Sequence, residues 1–250
     1  MRLLWLADCL RASGLEVVET TGWKERGADL PGLCSVVIGH HTATPRTAAN
    51  AGQDIPTLGL LIRGRSDLAG PLCQLGLGRS GTYYVVAAGK ANHAGKGHWA
   101  GVVNSRRTIG IEAEHPGIGG WPEAQLAAYD LGVAAVLRQL DQDARRYAGH
   151  REWAVPAGRK VDPGGLECAQ QRVRVDAQLA TMSGAPRSLA LLDEELTMDE
   201  TTLRRIIQEE VREEIRTVLG DITGPDADMT HYALNDVRLD LKEIKTKLGL

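Results

Sequence analysis

The histidines are the residues of this chain best suited to chemistry: His40, His41, His93, His98, His115, His150 and His231. A single histidine on a strand is more often a packing residue than a ligand. Two placements stand out. His40 and His41 close the apolar run Ser35-Val36-Val37-Ile38-Gly39, and His150 follows Gly149 in a segment that leads on to Asp162. Neutral imidazole nitrogen and carboxylate oxygen are good zinc donors, and three protein ligands with a fourth position left to water is the arrangement of a catalytic zinc. Adjacent strand residues face opposite sides of a sheet, so one of His40 and His41 is expected to point into such a site. By residue type alone, Glu112 and Glu114 read as strand-end acids and Lys160 as a surface cation.

The four cysteines, Cys9, Cys34, Cys73 and Cys168, include no C-x-x-C pair, so a cysteine zinc site is not indicated. A chain of 250 residues can build a real core without a disulfide framework, and the four are expected to be buried free thiols.

The elements that must position these groups alternate along the chain. Leu3 to Ala12 reads as an amphipathic helix ending at Ser13-Gly14, and Leu15 to Val18 as a short strand. Val36-Val37-Ile38 is a buried strand with the two histidines at its C-terminal end, where open α/β sheets place their chemistry. Tyr83 to Ala87 and Thr108 to Ala113 are further strands. Trp121 to Leu140 is a helix with Pro122 in its first turn. A loop then carries Gly149-His150 and Arg159-Lys160-Val161-Asp162-Pro163-Gly164, and Leu166 to Leu179 is a closing helix. The alternation predicts one α/β domain over residues 1–180.

After Ala180 the composition changes. Residues 181–200 contain Ser183-Gly184-Ala185-Pro186 and read as a linker. Residues 201–250 read as a charged helical tail. Leu203, Ile207, Val211, Ile215 and Val218 mark one helical face, and Leu234, Val237, Leu241, Ile244 and Leu248 form a short seam in steps of three and four. Two outcomes stay open for this tail: self-association into a homo-oligomer, or packing onto the catalytic domain.

Phe is absent, so Leu, Val, Ile and Ala must build the core. A formal net charge of -3 gives no overall attraction to nucleic acid or to anionic membranes. No segment has the length and apolarity of a transmembrane span, so membrane insertion is not expected. The start, Met1-Arg2-Leu3-Leu4-Trp5-Leu6-Ala7-Asp8, lacks the apolar core and cleavage site of a secretory signal. Synthesis in the cytoplasm is therefore expected, with any substrate outside the membrane reached by other means.

Several segments, in order, resemble one known family. Val36-Val37-Ile38-Gly39-His40-His41-Thr42-Ala43, Asn92-His93-Ala94-Gly95, Ile109-Gly110-Ile111-Glu112, Gly149-His150 and Arg159-Lys160-Val161-Asp162-Pro163-Gly164 are similar to motifs of the type-2 N-acetylmuramoyl-L-alanine amidases. That family includes phage endolysins and shares its fold with peptidoglycan-recognition proteins. The resemblance spans roughly Ser35 to Gly164. It implies a mixed central sheet flanked by helices, one Zn²⁺ ion held by His40, His150 and Asp162, and bacterial peptidoglycan as partner. It gives Glu112 the proton transfers at the scissile amide and Lys160 the developing oxyanion. It places His41, Thr42, His93 and Tyr84 around the substrate. Some relatives use Cys as third ligand, which makes Cys168 a remote alternative to Asp162. Glu114, two residues beyond Glu112, is a rival for its role.

There are departures from the family pattern. Asn92 stands where Trp is usual, which alters a wall of the groove. The stretch Gly81-Thr82-Tyr83-Tyr84 lacks the assisting Tyr of some members, leaving more of the proton transfer to Glu112. The resemblance also implies hydrolysis of the bond between N-acetylmuramic acid and L-alanine, most simply by a phage lysis enzyme that reaches the wall after holin-type release. Two other functions remain open: a non-catalytic peptidoglycan-recognition module, and an amidase of soluble muropeptides in cell-wall recycling. Recognition modules of this fold typically lose a metal ligand, whereas all three ligand positions are filled here.

Overall fold

The computed structural model describes residues 1–182, which carry all the elements below. The linker beyond Met182 and the helical tail of 201–250 expected from the sequence lie outside the described residues. In chain order the elements are α1 (Leu6–Ala12), β1 (Val17–Glu19), β2 (Val36–His41), α2 (Leu58–Arg63), β3 (Gly64–Arg65), β4 (Leu68–Ala69), β5 (Leu75–Leu77), β6 (Tyr83–Val85), β7 (Thr108–Ala113), α3 (Glu123–Gln139), β8 (Tyr147–Gly149), α4 (His150–Trp153) and α5 (Cys168–Met182). Short 3₁₀ turns at Ser105–Arg107 and Ala144–Arg146 lead into β7 and β8. Among the described residues no helix is long and apolar enough to cross a membrane.

Six strands form one mixed sheet in the order β1-β6-β5-β7-β2-β8, with β3 and β4 paired as a separate hairpin. Only the β5–β6 pairing in the large sheet is antiparallel. β2 lies between two parallel neighbours and is buried on both faces, which is why Val36, Val37 and Ile38 form an unbroken apolar run. On one face Val36 and Ile38 pack with Ala94, Val102, Ala148 and Trp153. On the other face Gly39 leaves room for two tyrosines. A Cβ there would come within 2.3 Å of Tyr147 Oη and 2.7 Å of Tyr129 Oη. The Tyr129 hydroxyl uses that room to donate to the His40 carbonyl at 3.0 Å, tying α3 to the end of β2.

The helices expected from periodicity are present with shorter N-termini. α1 begins at Leu6 and ends as expected: Gly14 adopts φ +82°, and Leu15 N–H reaches back to the Leu10 carbonyl at 3.2 Å. α3 starts after Pro122, whose extended ψ makes it the cap residue. β7 has the expected bounds. Two expectations need correction, and one strand was not foreseen. Gly149-His150 is not loop: Tyr147 to Gly149 form β8, and His150 opens α4. β5 is a strand despite its sequence Leu75-Gly76-Leu77, whose glycine weakens any strand signal. β1 is shifted, to Val17–Glu19.

Two ion pairs tie α5 to this frame, Arg174 with Asp130 on α3 and Arg172 with Glu152. The Glu152 carboxylate accepts from Arg172 at 2.8 and 2.9 Å and from the Gly149 N–H at 3.0 Å, so one side chain joins β8, α4 and α5. Burial opposes ionisation of Glu152, but the Arg172 bonds outweigh it and hold the carboxyl below its ordinary value of 4.5. A carboxylate with a depressed folded value stabilises the protein above its unfolded value, and that stability is lost as pH falls through the folded one. Glu152→Gln is expected to cost about 2 kcal/mol near neutral pH, a fall of roughly 4–8 °C in melting temperature. Thermal melts of variant and wild type should converge in acid; an undiminished difference at low pH would refute the assignment.

Candidate metal centre

His40 is the penultimate residue of β2, and the sheet register sets it beside Glu112 on β7. Side chains paired across neighbouring strands leave the same face, so imidazole and carboxylate emerge together near the C-terminal edge. His40 Nδ1 lies 4.0 Å from Glu112 Oε1. On the other flank of β2, β8 runs directly into His150, which is almost fully buried.

Asp162 arrives on the loop after α4. Arg151 fixes that loop: its N–H donates to the Asp162 carbonyl at 2.8 Å, and its guanidinium donates to the carbonyls of Pro163 and Leu166. The loop then crosses the end of β2. Asp162 Oδ2 stands 2.9 Å from His40 Nδ1 and 3.0 Å from His150 Nδ1. Gly164 N–H donates to His41 Nδ1 at 3.0 Å on the opposite face. The donor atoms of His40, His150 and Asp162 all lie within 4.8 Å of one another.

The donor chemistry fits a zinc ion. His150 Nε2 lies 2.8 Å from the Ala94 carbonyl, which can only accept, so Nε2 carries the proton and Nδ1 presents a lone pair. Two imidazole nitrogens and a carboxylate oxygen then converge from three elements, the composition of a three-ligand site.

The two nearby carboxylates are driven apart electrostatically. Burial opposes a charge on Asp162, yet a proton shared with the His150 and His40 rings, in the place a metal cation would take, holds it far below the usual carboxylate range. Glu112 is pushed up to about 8, first by burial and then by the Asp162 charge, with Lys160 pulling the other way. Its Oε2 is buried without a hydrogen-bond partner, while the side chain as a whole stays 16% exposed. Burial draws His40 down to about 4 and takes His93 well below its ordinary value, so both rings are neutral. Lys160 acts electrostatically on both His40 and Glu112. Among the described residues, nothing forms a hydrogen bond or ion pair with its ammonium.

The residues expected to touch substrate each make a contact within the protein. The Thr42 hydroxyl donates to Glu114 at 3.2 Å. Tyr84 shares the sheet row of His40 and Glu112, but two strands further along; Ile55 and Leu61 lie over Gly76 between them, and its hydroxyl donates to Asp54 at 3.0 Å. His41 clamps Gly164 and packs against Gly117, where a Cβ would come within 2.1 Å of Nε2. His93 lies inside, between His40 and Thr108. In all four, at least one polar atom is engaged by the protein itself. Glu114 is fully buried and receives the backbone and hydroxyl of Thr57, which removes it from proton transfer. Cys168, the first residue of α5, lies behind Gly149, outside the ligand cluster. The contributions of Ala94, Thr108 and Arg151 were not visible in the sequence, because a carbonyl, a strand threonine and a loop arginine carry no motif of their own.

The sequence matches the family model described as N-acetylmuramoyl-L-alanine amidase over residues 32–165. No curated protein matches it. Similar solved structures include a selenomethionine derivative of AmpD (20% identity, 64% of this chain and 93% of that chain, TM-score 0.46). Drosophila PGRP-LB is 17% identical over 69% of this chain and 95% of that chain, with TM-score 0.45. The amidase AmiD from E. coli, in complex with anhydro-N-acetylmuramic acid-L-Ala-D-γ-Glu-L-Lys, is 18% identical over 74% of this chain and 82% of that chain, with TM-score 0.46.

The cluster predicts uptake of one zinc ion per chain, measured by elemental analysis after dialysis and by competition with a chelator. His40→Ala, His150→Ala and Asp162→Ala should each weaken binding by more than the roughly 10- to 100-fold typical of outer-shell changes. Stoichiometric, tight binding in all three variants would place the ion elsewhere.

Proposed function

This chain belongs to the N-acetylmuramoyl-L-alanine amidase family, and on that premise we propose that it hydrolyses the amide joining N-acetylmuramic acid to L-alanine in bacterial peptidoglycan, using one zinc ion bound by His40, His150 and Asp162. The observation that carries the proposal is the convergence of those three donors beside a protonatable carboxyl, Glu112, whose Oε2 has no partner. Zinc held there supplies Lewis acidity for the amide carbonyl and for water.

The remaining steps fall to the chain itself. Glu112 takes a proton from the attacking water as its oxygen adds to the carbonyl carbon. It then delivers that proton to the amide nitrogen as the carbon–nitrogen bond breaks, releasing the stem peptide with a free L-alanine amine. A value raised to about 8 suits a group that must both accept and donate near neutral pH. Lys160, with no partner among the described residues, places its charge where negative charge develops on the carbonyl oxygen. Asp162 stays ionised throughout and serves as a ligand. Action on the intact wall, as a phage lysis enzyme after holin-type release, belongs to the same proposal and rests on the resemblance to endolysins.

Digestion of purified peptidoglycan followed by mass spectrometry tests the bond cleaved. Free L-alanine N-termini on an intact glycan are expected, and new reducing sugar ends would overturn the reading. Glu112→Gln should lower turnover roughly 10²- to 10⁴-fold, and Lys160→Met roughly 10²- to 10³-fold, with zinc content unchanged in both. Loss of turbidity from whole cell walls supports the lytic role. Activity confined to soluble muropeptides assigns the enzyme to recycling instead, and binding without turnover makes it a recognition module.

A further inference from the structure

We propose that His93, backed by Thr108, is a positioning residue that fixes the tautomer of His40 and so aims its Nδ1 lone pair at the metal. The inference rests on the metal centre proposed above, and it follows from counting protons along one chain of contacts. Thr108 has a single hydroxyl proton. Its Oγ1 lies 2.8 Å from the Ser105 carbonyl, which can only accept, so the proton points there. His93 Nε2, 3.1 Å from the same oxygen, must then be the donor. A neutral imidazole has one N–H, so His93 Nδ1 accepts, and the nitrogen facing it at 3.0 Å, His40 Nε2, donates. The Nδ1 of His40 is left with its lone pair directed at Asp162.

The adjacent residue does the same for the other ligand, since the Ala94 carbonyl accepts from His150 Nε2. Two consecutive residues of one loop thus set both imidazoles. The loop is built for it. Asn92 holds it at one end, with its N–H on the Pro71 carbonyl and its side chain on the Ala69 carbonyl. Trp153 holds it at the other by donating to the Gly95 carbonyl. Gly110 leaves the space that the His93 ring fills: a Cβ there would sit 2.5 Å from His93 Cγ. Metal-bound histidines usually give their second N–H to a carboxylate, carbonyl or water. Here His40 gives it to a neutral ring, whose own polarity is set two bonds away by Thr108.

Zinc affinity of the full-length protein, measured by chelator competition alongside thermal melts, tests the relay. His93→Ala should weaken zinc binding roughly 10- to 100-fold. Thr108 touches no ligand and supplies the decisive pair. If the relay operates, Thr108→Val, equal in shape but without the hydroxyl, weakens zinc binding about tenfold, while Thr108→Ser stays within about twofold of wild type. If Thr108 matters only for packing, the order reverses, because Val fills the site and Ser leaves a void. That reversal in folded variants would overturn the relay alone, and the pair decides the question even if His93→Ala fails to fold. A wild-type protein that takes up no zinc would instead overturn the metal centre, and the relay with it.

Discussion

Two imidazole nitrogens and a carboxylate held within 4.8 Å need a proton or a metal cation between them, and this need is the constraint around which the rest of the structure is arranged. With neither between them, each would be a buried acceptor facing acceptors, and an unsatisfied buried polar group costs about 1–3 kcal/mol. A metal cation at their centre would satisfy all three at once. The three groups do not approach by local folding: His40 sits on the second strand, His150 after the eighth, and Asp162 on a loop. The parallel pairing of β2 with β7 and β8 fixes two of them to the sheet edge. Arg151 and His41 clamp the loop that delivers the third.

The same crowding explains how two acids a few ångströms from one histidine acquire opposite properties. Asp162 is stabilised as an anion by the proton or cation it shares with both rings. Glu112 meets the Asp162 charge with too little compensation and is held near the pH at which a proton can be passed in either direction. Neither property belongs to the residue type.

Much of the site was legible in the sequence because its first layer is written in rare residue types at strand ends. His40, His150, Asp162, Glu112 and Lys160 each sit in a short motif with a recognisable order. β2, β7 and α3 were legible for a related reason: long, strongly patterned segments declare themselves. What escaped were elements too short to show a period, β5 and β8, together with α4, which borrows its first residue from the metal site. The neighbours of the ligands have partners that the sequence does not show. His41, Thr42, His93 and Tyr84 are polar residues beside motif residues, and sequence assigns such residues to substrate. Each is in fact held by another part of the chain, by Gly164, Glu114, Thr108 and Asp54 in turn.

That pattern has a physical cause. A ligand is specified by its own chemistry, whereas its support is specified by what lies opposite it after folding. The absence of side chains is part of that support and carries even less signal. Gly39 admits the two tyrosine hydroxyls behind β2, and Gly110 admits the His93 ring in front of β7. In a strand either glycine reads as a weak point, since it gives up packing and costs conformational entropy. In the folded protein each is the space into which a hydrogen-bonding group must fit for His40 to be held from both sides: its carbonyl by Tyr129 and its ring by His93. The weakness of the strand signal and the rigidity of the metal ligand therefore have one origin.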